Sequence, residues 1–284
     1  HSFRVPRPDL SKKLGVPNGC NNCHADKSPA WAAEHVAKWY GKPKSGKHYG
    51  EIFRAASRCI PGTDAELIRL AEDNQQSPMV RATAVLLLRN YPGESTIRTL
   101  GKMLQDDNPL IRSEAVTSLD ILPPNDRVSF LLPVLQDPLR LVRTLAARSL
   151  APVPSDFLSK AALQQRDATI REYEESQMLS ADYPASHINL GNLYLERGEY
   201  DRAAVSYKKA IAIEPSFIPG YINLADVYRL QNQDEKGRSI LLHALGIAPE
   251  SASAHHALGL LMIRTGEQKK ALNHLRDAAI LVPE

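Results

Sequence analysis

Three residues near the N-terminus place two thiols and an imidazole within five positions of one another. They are Cys20, Cys23 and His24 in the stretch GCNNCHADK. The chain has 3 cysteines and 9 histidines among 284 residues, so random placement would produce Cys-x-x-Cys-His only about 0.001 times. We therefore treat the pattern as a site. A covalent haem, a zinc ion and a redox-active disulfide are the three kinds of site to compare.

Zinc and a redox disulfide fit this pattern less well. Structural zinc takes four ligands, commonly in two pairs of matched spacing. The next candidates after the pattern are isolated residues rather than a second pair: His35, His48 and Cys59. A thioredoxin-like disulfide lies at the start of a helix in a βαβ context, and the sequence shows no convincing strand.

The c-type haem interpretation uses every residue of the pattern. Cys20 and Cys23 form thioethers with the two vinyl groups, and His24 is the proximal ligand of the iron. The following stretch predicts a helix with Ser28 as its N-cap and a proline in its first turn. We expect Trp31 and Trp39 of this helix to line the haem pocket, although they would also serve as an ordinary small core.

The sixth iron ligand must come from elsewhere in the chain. His48, which follows a Lys/Gly loop, is the first candidate, and His1 is the alternative, as distal ligand here or as ligand to another haem. His35 is third, because a position eleven residues after His24 on the adjoining helix constrains it. Two imidazoles would give a low-potential, six-coordinate haem suited to electron transfer rather than to substrate binding.

A period of 31 residues organises the middle of the chain. Four columns keep it, one of which is Arg81, Arg112 and Arg143, and a proline precedes each of the three predicted helices. Helix pairs of this length cannot bury their apolar faces alone and must stack on one another. The pattern resembles HEAT repeats.

A period of 34 residues organises the C-terminal third. Small residues recur at Gly191, Ala225 and Gly259, and large ones recur in the helix that follows each of them. This is the tetratricopeptide pattern, in which small residues allow close helix approach. Gly237 stands where alanine is usual and should weaken its helix by up to ~1 kcal/mol.

The concave face of these repeats predicts a groove for a peptide or protein partner. Its polar residues are Asn189, Asn192, Asn223, Asp226, Arg229, His256 and Arg264. The alternative is that they only keep an exposed groove soluble. His187, His255 and His274 also fall on repeat faces, where we expect them to need no cofactor.

Charge and hydropathy exclude some classes of function. Residues 1–60 hold eleven Lys or Arg against four Asp or Glu, although the whole chain carries only +3. This local excess favours haem propionates or an acidic partner, but a merely solvated basic surface explains it equally well. No basic helix with interleaved aromatics indicates nucleic-acid binding. No apolar run reaches the roughly 18 to 20 residues that cross a bilayer.

The order of these features resembles a known family. The motif in "LGVPNGCNNCHADKSPAWAAEHVAKWYG", then "HYGEIFRAA", then the two repeat arrays, is similar to the C-terminal portion of large bacterial multihaem c-type cytochromes, in which a domain similar to cytochrome c554 comes first. The resemblance implies export, one covalent haem c, electron transfer and a cytochrome or multihaem partner. Because the chain begins at His1, we expect it to be processed or partial.

We therefore predict an all-α chain: an α-solenoid of HEAT-like then tetratricopeptide repeats, with an N-terminal c-type haem-binding segment. The predicted divisions are residues 1–60 for the haem segment, 61–154 for the HEAT-like array, and 155–284 for the tetratricopeptide domain with its capping helix. The predicted function is an exported, periplasmic or extracellular electron carrier with a scaffold for assembly, including homo-oligomers. The alternatives are a non-redox repeat adaptor, or a subunit of a multihaem oxidoreductase acting on small nitrogen or sulfur compounds.

Overall fold

The computed structural model describes residues 6–41 and 46–281, and in this part of the chain every regular element is helical. Short 3₁₀ turns connect some of the α-helices. The all-α prediction is confirmed. In chain order, the α-helices are α1 (Pro8–Leu14), α2 (Gly19–Cys23), α3 (Pro29–Tyr40), α4 (Tyr49–Ser57), α5 (Thr63–Glu72), α6 (Pro78–Leu87), α7 (Glu94–Met103), α8 (Pro109–Ser118), α9 (Val128–Leu131), α10 (Arg140–Ser149), α11 (Lys160–Met178), α12 (Pro184–Glu196), α13 (Tyr200–Ile213), α14 (Ile218–Leu230), α15 (Asp234–Ile247), α16 (Ala252–Arg264) and α17 (Gln268–Leu281).

The chain divides into two compact units, residues 1–122 and 123–284. This division follows the density of packing, whereas the predicted boundaries at 60 and 154 follow repeat type and stay a prediction. None of the helices in the described residues is long and apolar enough to cross a membrane.

The first unit begins with the small helices that carry the CNNCH motif. Helix α3 starts where predicted: the Ser28 hydroxyl accepts the backbone N–H of Trp31 at 3.2 Å, and Pro29 occupies the first helical position, where its missing N–H costs nothing. Helix α3 packs against α1. Leu10, Ala32 and Val36 are buried in this part of the unit.

The HEAT helices of the first unit are fixed by their caps and by arginines. The residues before Pro78 and Pro109 cap α6 and α8 with their side chains. Arg81 is buried, and its guanidinium contacts the Asp106 carboxylate at 2.5 Å and the carbonyl oxygen of Ala71 at 2.8 Å. Arg112, one period later, donates to two carbonyl oxygens of the turn before its own helix.

The second unit starts with an irregular helix pair. Three prolines interrupt the first member of the pair, at positions 123, 124 and 133, so only Val128–Leu131 is α-helical and 3₁₀ turns flank it. Its partner α10 is regular, and Arg143 on α10 repeats the contacts of the preceding period, donating to the carbonyl oxygens of Asp137 and Pro138.

Close approach of paired helices builds the tetratricopeptide array, α12 to α17. A Cβ added to Gly191 would lie 2.3 Å from the ring of Tyr207, so glycine is required where α12 crosses α13. Tyr207 is fully buried in this crossing, as is Tyr221 in the next repeat. Small and large residues therefore interlock as the 34-residue period predicts.

Some polar contacts within each unit reach from one repeat to the next. Several ion pairs join residues about 30 positions apart on neighbouring repeats. Examples are Lys102 with Glu72 at 2.8 Å, Arg202 with Glu174 at 3.0 Å, and Arg264 with Asp234 at 3.1 Å. Each repeat thus contacts its immediate neighbour.

Candidate functional site

The CNNCH motif forms one helical turn that side-chain hydrogen bonds hold in place. Asn18 caps α2, its Oδ1 accepting the backbone N–H groups of Cys20 at 3.1 Å and of Asn21 at 3.2 Å. The Asn21 amide donates to the carbonyl oxygen of Lys27 at 2.7 Å, which closes the loop that follows. The cysteines are three positions apart on this turn and both are free thiols. The spacing places Cys20 and Cys23 on the same side of α2.

A cavity of about 270 Å³ brings the predicted residues of this segment together. It is lined by Gly19, Cys20, Cys23, His24, Trp31, Ala32, His35, Val36 and Trp39. The two cysteines, His24 and both tryptophans therefore share one apolar cavity. Trp39 is 66% exposed, so the cavity opens to solvent along an aromatic rim.

A row of aromatic rings forms one wall of the cavity. The Trp31 ring centroid lies 5.0 Å from that of His24 and 4.4 Å from that of His35, and the His35 centroid lies 5.9 Å from that of Trp39. The three residues of α3 are spaced four positions apart, which places them on one helix face. This spacing is readable in the sequence and is the signal that would have moved His35 ahead of His48.

The hydrogen bond of His35 leaves one ring nitrogen with a lone pair. Its Nδ1 lies 2.9 Å from the carbonyl oxygen of Trp31. Because a carbonyl oxygen only accepts, Nδ1 carries the hydrogen, and in the neutral ring Nε2 retains the lone pair. Histidines that bind metals are commonly oriented by such a bond from the other nitrogen.

His48, the first candidate for the sixth ligand, has a different local role. It caps α4: its Nδ1 accepts the backbone N–H of Gly50 at 3.1 Å, and its own backbone N–H donates to the Glu51 carboxylate at 3.3 Å. It is not among the residues that line the cavity. His1, the other candidate, lies outside the described residues.

The geometry bears on the choice between haem and zinc. Across residues 6–41 and 46–281, the thiols of the motif and His24 do not form a group of three ligand atoms within 4.8 Å of one another, as one zinc ion requires. Covalent haem instead requires two free thiols beside an apolar surface large enough to cover. A cavity of this size is below the roughly 300 to 1,000 Å³ of typical ligand pockets, and the exposed Trp39 adds aromatic surface at its rim. The residues present fit haem on these grounds.

A second cavity, of about 460 Å³, lies in the tetratricopeptide array between the concave faces of α14 and α16. Five of the seven polar residues predicted for the groove line it: Asn223, Asp226, Arg229, His256 and Arg264. The sequence missed its apolar floor, which includes Ile222, Ala257, Leu260 and Leu261. Leu260 is half exposed, so its side chain is accessible from the cavity.

Hydrogen bonds order the polar residues of this groove. The amide of Asn223 donates to Oδ1 of Asn192 at 3.2 Å, and the same oxygen accepts the Tyr207 hydroxyl at 2.7 Å. Asn192 thereby extends the groove onto α12. Asn189 on the same helix donates to the side chain of Gln177 at 2.9 Å and does not line the cavity.

The charged groups of the groove are paired within the chain. Arg229 donates to Asp226 at 2.7 Å, and this hydrogen bond raises the pKa of the Arg229 guanidinium. Arg264 donates to Oδ1 of Asn232 at 2.9 Å and also contacts Asp234. The groove thus presents charge-compensated polar groups above an apolar floor.

Comparisons with known proteins match the two repeat arrays. The family model described as HEAT repeats matches residues 65–151. The models described as TPR repeat and tetratricopeptide repeat match residues 191–232 and 218–251. The BBSome complex member BBS4 of Bos taurus is 29% identical over 122 residues, which is 43% of this chain and 23% of that protein. The chain therefore matches less than a quarter of the length of that relative.

Two solved structures show a partial likeness to the chain. A crystal structure of MamA covers 66% of this chain and 87% of its own, with 17% identity and a TM-score of 0.33. A monomeric mutant of IFIT1 with Gppp-AAAA covers 97% of this chain and 68% of its own, with 15% identity and a TM-score of 0.42. The family matches and the helix pairs described above agree, so this chain is an all-helical repeat protein that contains HEAT repeats followed by tetratricopeptide repeats.

Proposed function

We propose that the chain is a helical-repeat adaptor that binds a segment of a partner protein in the groove between α14 and α16. The cavity of about 460 Å³ in this groove is the observation that carries the proposal. It combines an apolar floor with a few convergent polar groups, which is the character of a binding site. Concave surfaces are also the usual binding faces of repeat proteins.

The residues that line the groove determine which kind of partner segment it can bind. Leu260 and Ile222 offer an apolar surface for one or two aliphatic or aromatic anchors. Asn223, whose side chain hydrogen-bonds across to Asn192, is placed to meet the peptide groups of the ligand. Because Asp226 and Arg229 neutralise each other, a strongly charged ligand gains little here. An apolar segment with an accessible backbone is the ligand we expect.

Selection of peptides from a displayed random library tests this proposal. We expect enriched peptides that carry an apolar anchor and bind the full chain. Leu260→Asp should weaken binding by about tenfold or more, because it places a charge against the buried anchor. Leu242→Asp is the matched control, since Leu242 on α15 is similarly exposed but does not line the cavity.

Two results would contradict the groove proposal. One is a library that yields no peptide binding to the chain. The other is a set of peptides that bind the Leu260→Asp chain as well as they bind the unmodified chain. Retained binding with Leu260→Asp but loss with Leu242→Asp would move the site to the opposite face of the array.

We also propose that the CNNCH segment holds one covalent haem c. The convergence of Cys20, Cys23 and His24 on one aromatic-lined cavity supports this second function. The two cysteines would hold the macrocycle, His24 would supply an axial nitrogen, and Trp31 and Trp39 would keep water from its face. When bound, this group supplies one-electron transfer. The repeat families provide no support for haem, so the proposal depends on the motif and its cavity.

Local geometry distinguishes the histidines that could supply the second axial nitrogen. His35 shares the cavity and retains a lone pair on Nε2. His48 uses Nδ1 to cap α4, so its neutral ring carries the hydrogen on Nε2. To bind iron through Nε2, the neutral His48 ring would have to carry its hydrogen on Nδ1, and Nδ1 could then no longer accept the backbone N–H of Gly50. We propose His35 as the ligand within the described residues, with His48 and His1 as the alternatives.

The haem proposal includes export and a redox partner. Covalent haem attachment places the segment in the periplasm or outside the cell, with another cytochrome or a multihaem protein exchanging electrons with it. In this proposal the repeats organise that partner or further copies of the chain. Membership of a multihaem oxidoreductase that acts on small nitrogen or sulfur compounds is the alternative, and binding of carbon monoxide to the reduced protein would favour it.

A pyridine haemochrome spectrum of protein matured in a bacterial periplasm tests the haem proposal. We expect one covalent haem per chain, its loss in Cys20→Ser and Cys23→Ser, and its retention in Cys59→Ser. Cys59 is also a free, exposed thiol, which makes it the matched control. A colourless protein from a host that matures other c-type cytochromes would refute the proposal.

Separate variants identify the second axial ligand. His35→Ala should convert a low-spin spectrum to a high-spin one, whereas His48→Ala should leave the spectrum low-spin and lower only the stability of α4. The reverse result would return the ligand to His48. A low-spin spectrum in both variants would move the ligand to His1.

A further inference from the structure

Three metal-ligating side chains meet between the last two described helices, in a place that neither proposed site uses. His255 lies on α16, and His274 and Asp277 lie on α17. Because the two α17 residues are three positions apart, they share one face of the helix. One ligand atom from each of the three residues lies within 4.8 Å of the other two.

The hydrogen bond of His255 fixes which of its nitrogens faces the cluster. Its Nε2 lies 2.9 Å from the carbonyl oxygen of Pro249. A carbonyl oxygen only accepts, so Nε2 carries the hydrogen and Nδ1 of the neutral ring holds the lone pair. A backbone carbonyl commonly orients metal-binding imidazoles in this way.

Two distances within the cluster lie on either side of the ligand-to-ligand distance in a tetrahedral zinc site. Nδ1 of His255 lies 2.9 Å from Nδ1 of His274 and 3.8 Å from Oδ2 of Asp277. Nitrogen and oxygen ligands about 2.0 to 2.1 Å from zinc are roughly 3.4 Å apart in a tetrahedron. Because Nδ1 of His255 accepts, Nδ1 of His274 donates in this contact. Zinc binding would move that hydrogen to Nε2 of His274, and side-chain adjustments of about half an ångström would then complete three corners of the site.

Burial gives the cluster a protected side and an open side. The side chain of His255 is 13% exposed and that of Asp277 is 51% exposed. A hydrated cation can therefore enter past the carboxylate, and the fourth position faces water.

We propose that His255, His274 and Asp277 bind a Zn²⁺ ion that links α16 to α17, with water as the fourth ligand. Two imidazoles and one carboxylate form the donor set that zinc takes in sites with an open position. An imidazole-to-imidazole hydrogen bond accounts for the two histidines alone, and the Asp277 carboxylate 3.8 Å from His255 supplies the third ligand of the proposed set. The ion would stabilise the repeat that supplies one wall of the groove, through α16.

Isothermal titration with ZnCl₂ tests this site in a full chain that carries Cys20→Ser, Cys23→Ser and Cys59→Ser and no haem. These substitutions remove the thiolates that would also bind zinc. We expect one equivalent of zinc to bind at this site and to raise the thermal midpoint by about 5 °C at 100 times Kd. His255→Ala and His274→Ala should abolish this binding. His243→Ala, which alters an exposed histidine of α15 outside the cluster and the groove lining, should leave it intact.

A conservative variant and a local readout cover the case in which a histidine variant fails to fold. Asp277→Asn keeps the shape of an exposed side chain, and it should weaken zinc binding by at least tenfold. Long-range ¹H–¹⁵N spectra should show zinc-dependent shifts at Nδ1 of His255 and His274 with Nε2 still protonated in His255. Absence of zinc binding would overturn the proposal. So would binding that survives His255→Ala and His274→Ala, or shifts confined to other histidines.

Discussion

Gly191→Ala adds one methyl group at the tightest helix crossing of the tetratricopeptide array. The new Cβ would lie 2.3 Å from Cε1 and 2.6 Å from Cδ1 of Tyr207. Carbon atoms in contact normally lie about 3.5 to 4.0 Å apart, so the ring or the helix must withdraw by about 1.2 Å. Tyr207 is fully buried and its hydroxyl is bound to Asn192 at 2.7 Å, so the ring has nowhere to move without losing that bond.

The expected loss of stability combines three contributions. Overpacking a filled core costs about 1 to 3 kcal/mol, and loss of the hydroxyl hydrogen bond costs about 1 kcal/mol. Alanine in place of glycine returns about 1 kcal/mol, because it reduces the chain entropy lost in a helix. We therefore expect Gly191→Ala to lower the free energy of unfolding by about 2 kcal/mol.

The neighbouring repeat supplies a compensating change. One period later, Ala225 and Leu241 occupy the positions of Gly191 and Tyr207, and both are buried. Tyr207→Leu alone should destabilise the chain, since it leaves a cavity and removes the hydroxyl. In combination with Gly191→Ala it recreates the packing of the next repeat, so the double variant should be more stable than the sum of the single variants predicts, by about 1 to 2 kcal/mol.

Urea unfolding followed by circular dichroism measures these differences. A loss of 2 kcal/mol corresponds to a midpoint lower by about 0.8 M for an m-value near 2.5 kcal/mol/M. Gly237→Ala is the control: its added Cβ would lie 3.4 Å from the nearest atom, an ordinary contact, so it should raise the midpoint through helix propensity. A Gly191→Ala chain as stable as the parent would refute the close-approach argument, as would additivity in the double variant.

Two further predictions concern charged pairs. Arg81→Met should destabilise the first unit by about 3 kcal/mol in urea unfolding, because it leaves the nearly buried Asp106 carboxylate without its ion-pair partner. Adding Asp106→Asn should restore part of the loss, since it removes the charge and keeps an acceptor for the backbone N–H of Asn108; an unaltered midpoint in the single variant would contradict this. The hydrogen bond from Arg238, assisted by one from Lys270, lowers the pKa of the Glu267 carboxyl to about 2. The stability contributed by the Arg238–Glu267 pair is therefore complete above pH ~4.5 and is lost as the pH falls toward 2. The thermal midpoint of the parent should therefore exceed that of Glu267→Gln at pH 6, and the difference should shrink by pH 2.5; a constant difference would exclude the pair as its source.

The repeats could be predicted from sequence because their causes are local. Columns of small and large residues at fixed periods specify helix pairs, and residues such as Ser77 before a proline mark helix starts. The region 123–136 departs from the helix pattern that the period predicts. There the prolines remove backbone donors and fix φ, so a four-residue helix stands where the period predicts a full one.

The sequence located the CNNCH motif, but it did not show which histidines accompany the motif in its cavity. The spacing of Cys20, Cys23 and His24 marks the motif, whereas which further histidine shares its cavity depended on the arrangement of the helices. The sequence places His35 on the helix face of the two tryptophans, but it does not show that this face borders the thiols. The cap that His48 forms is local to α4, whereas the cavity depends on how α2 and α3 pack together.

The cluster at the C-terminal repeat was missed because its residues are distant in sequence. His255 and His274 are 19 positions apart and lie on different helices, which matches no metal-binding spacing. We expected both to need no cofactor. Only the antiparallel pairing of α16 and α17 brings them together.

The one-repeat reach of the ion pairs has a mechanical consequence. Since Lys102 meets Glu72 and Arg264 meets Asp234, these ion pairs link one repeat to the next. Pulling on one end of such an array would therefore detach helix pairs in succession rather than all at once. The same property makes the array extensible. Duplicating or deleting one whole period of 31 or 34 residues changes the contacts at the new junction alone, so genetic changes in array length need little readjustment elsewhere.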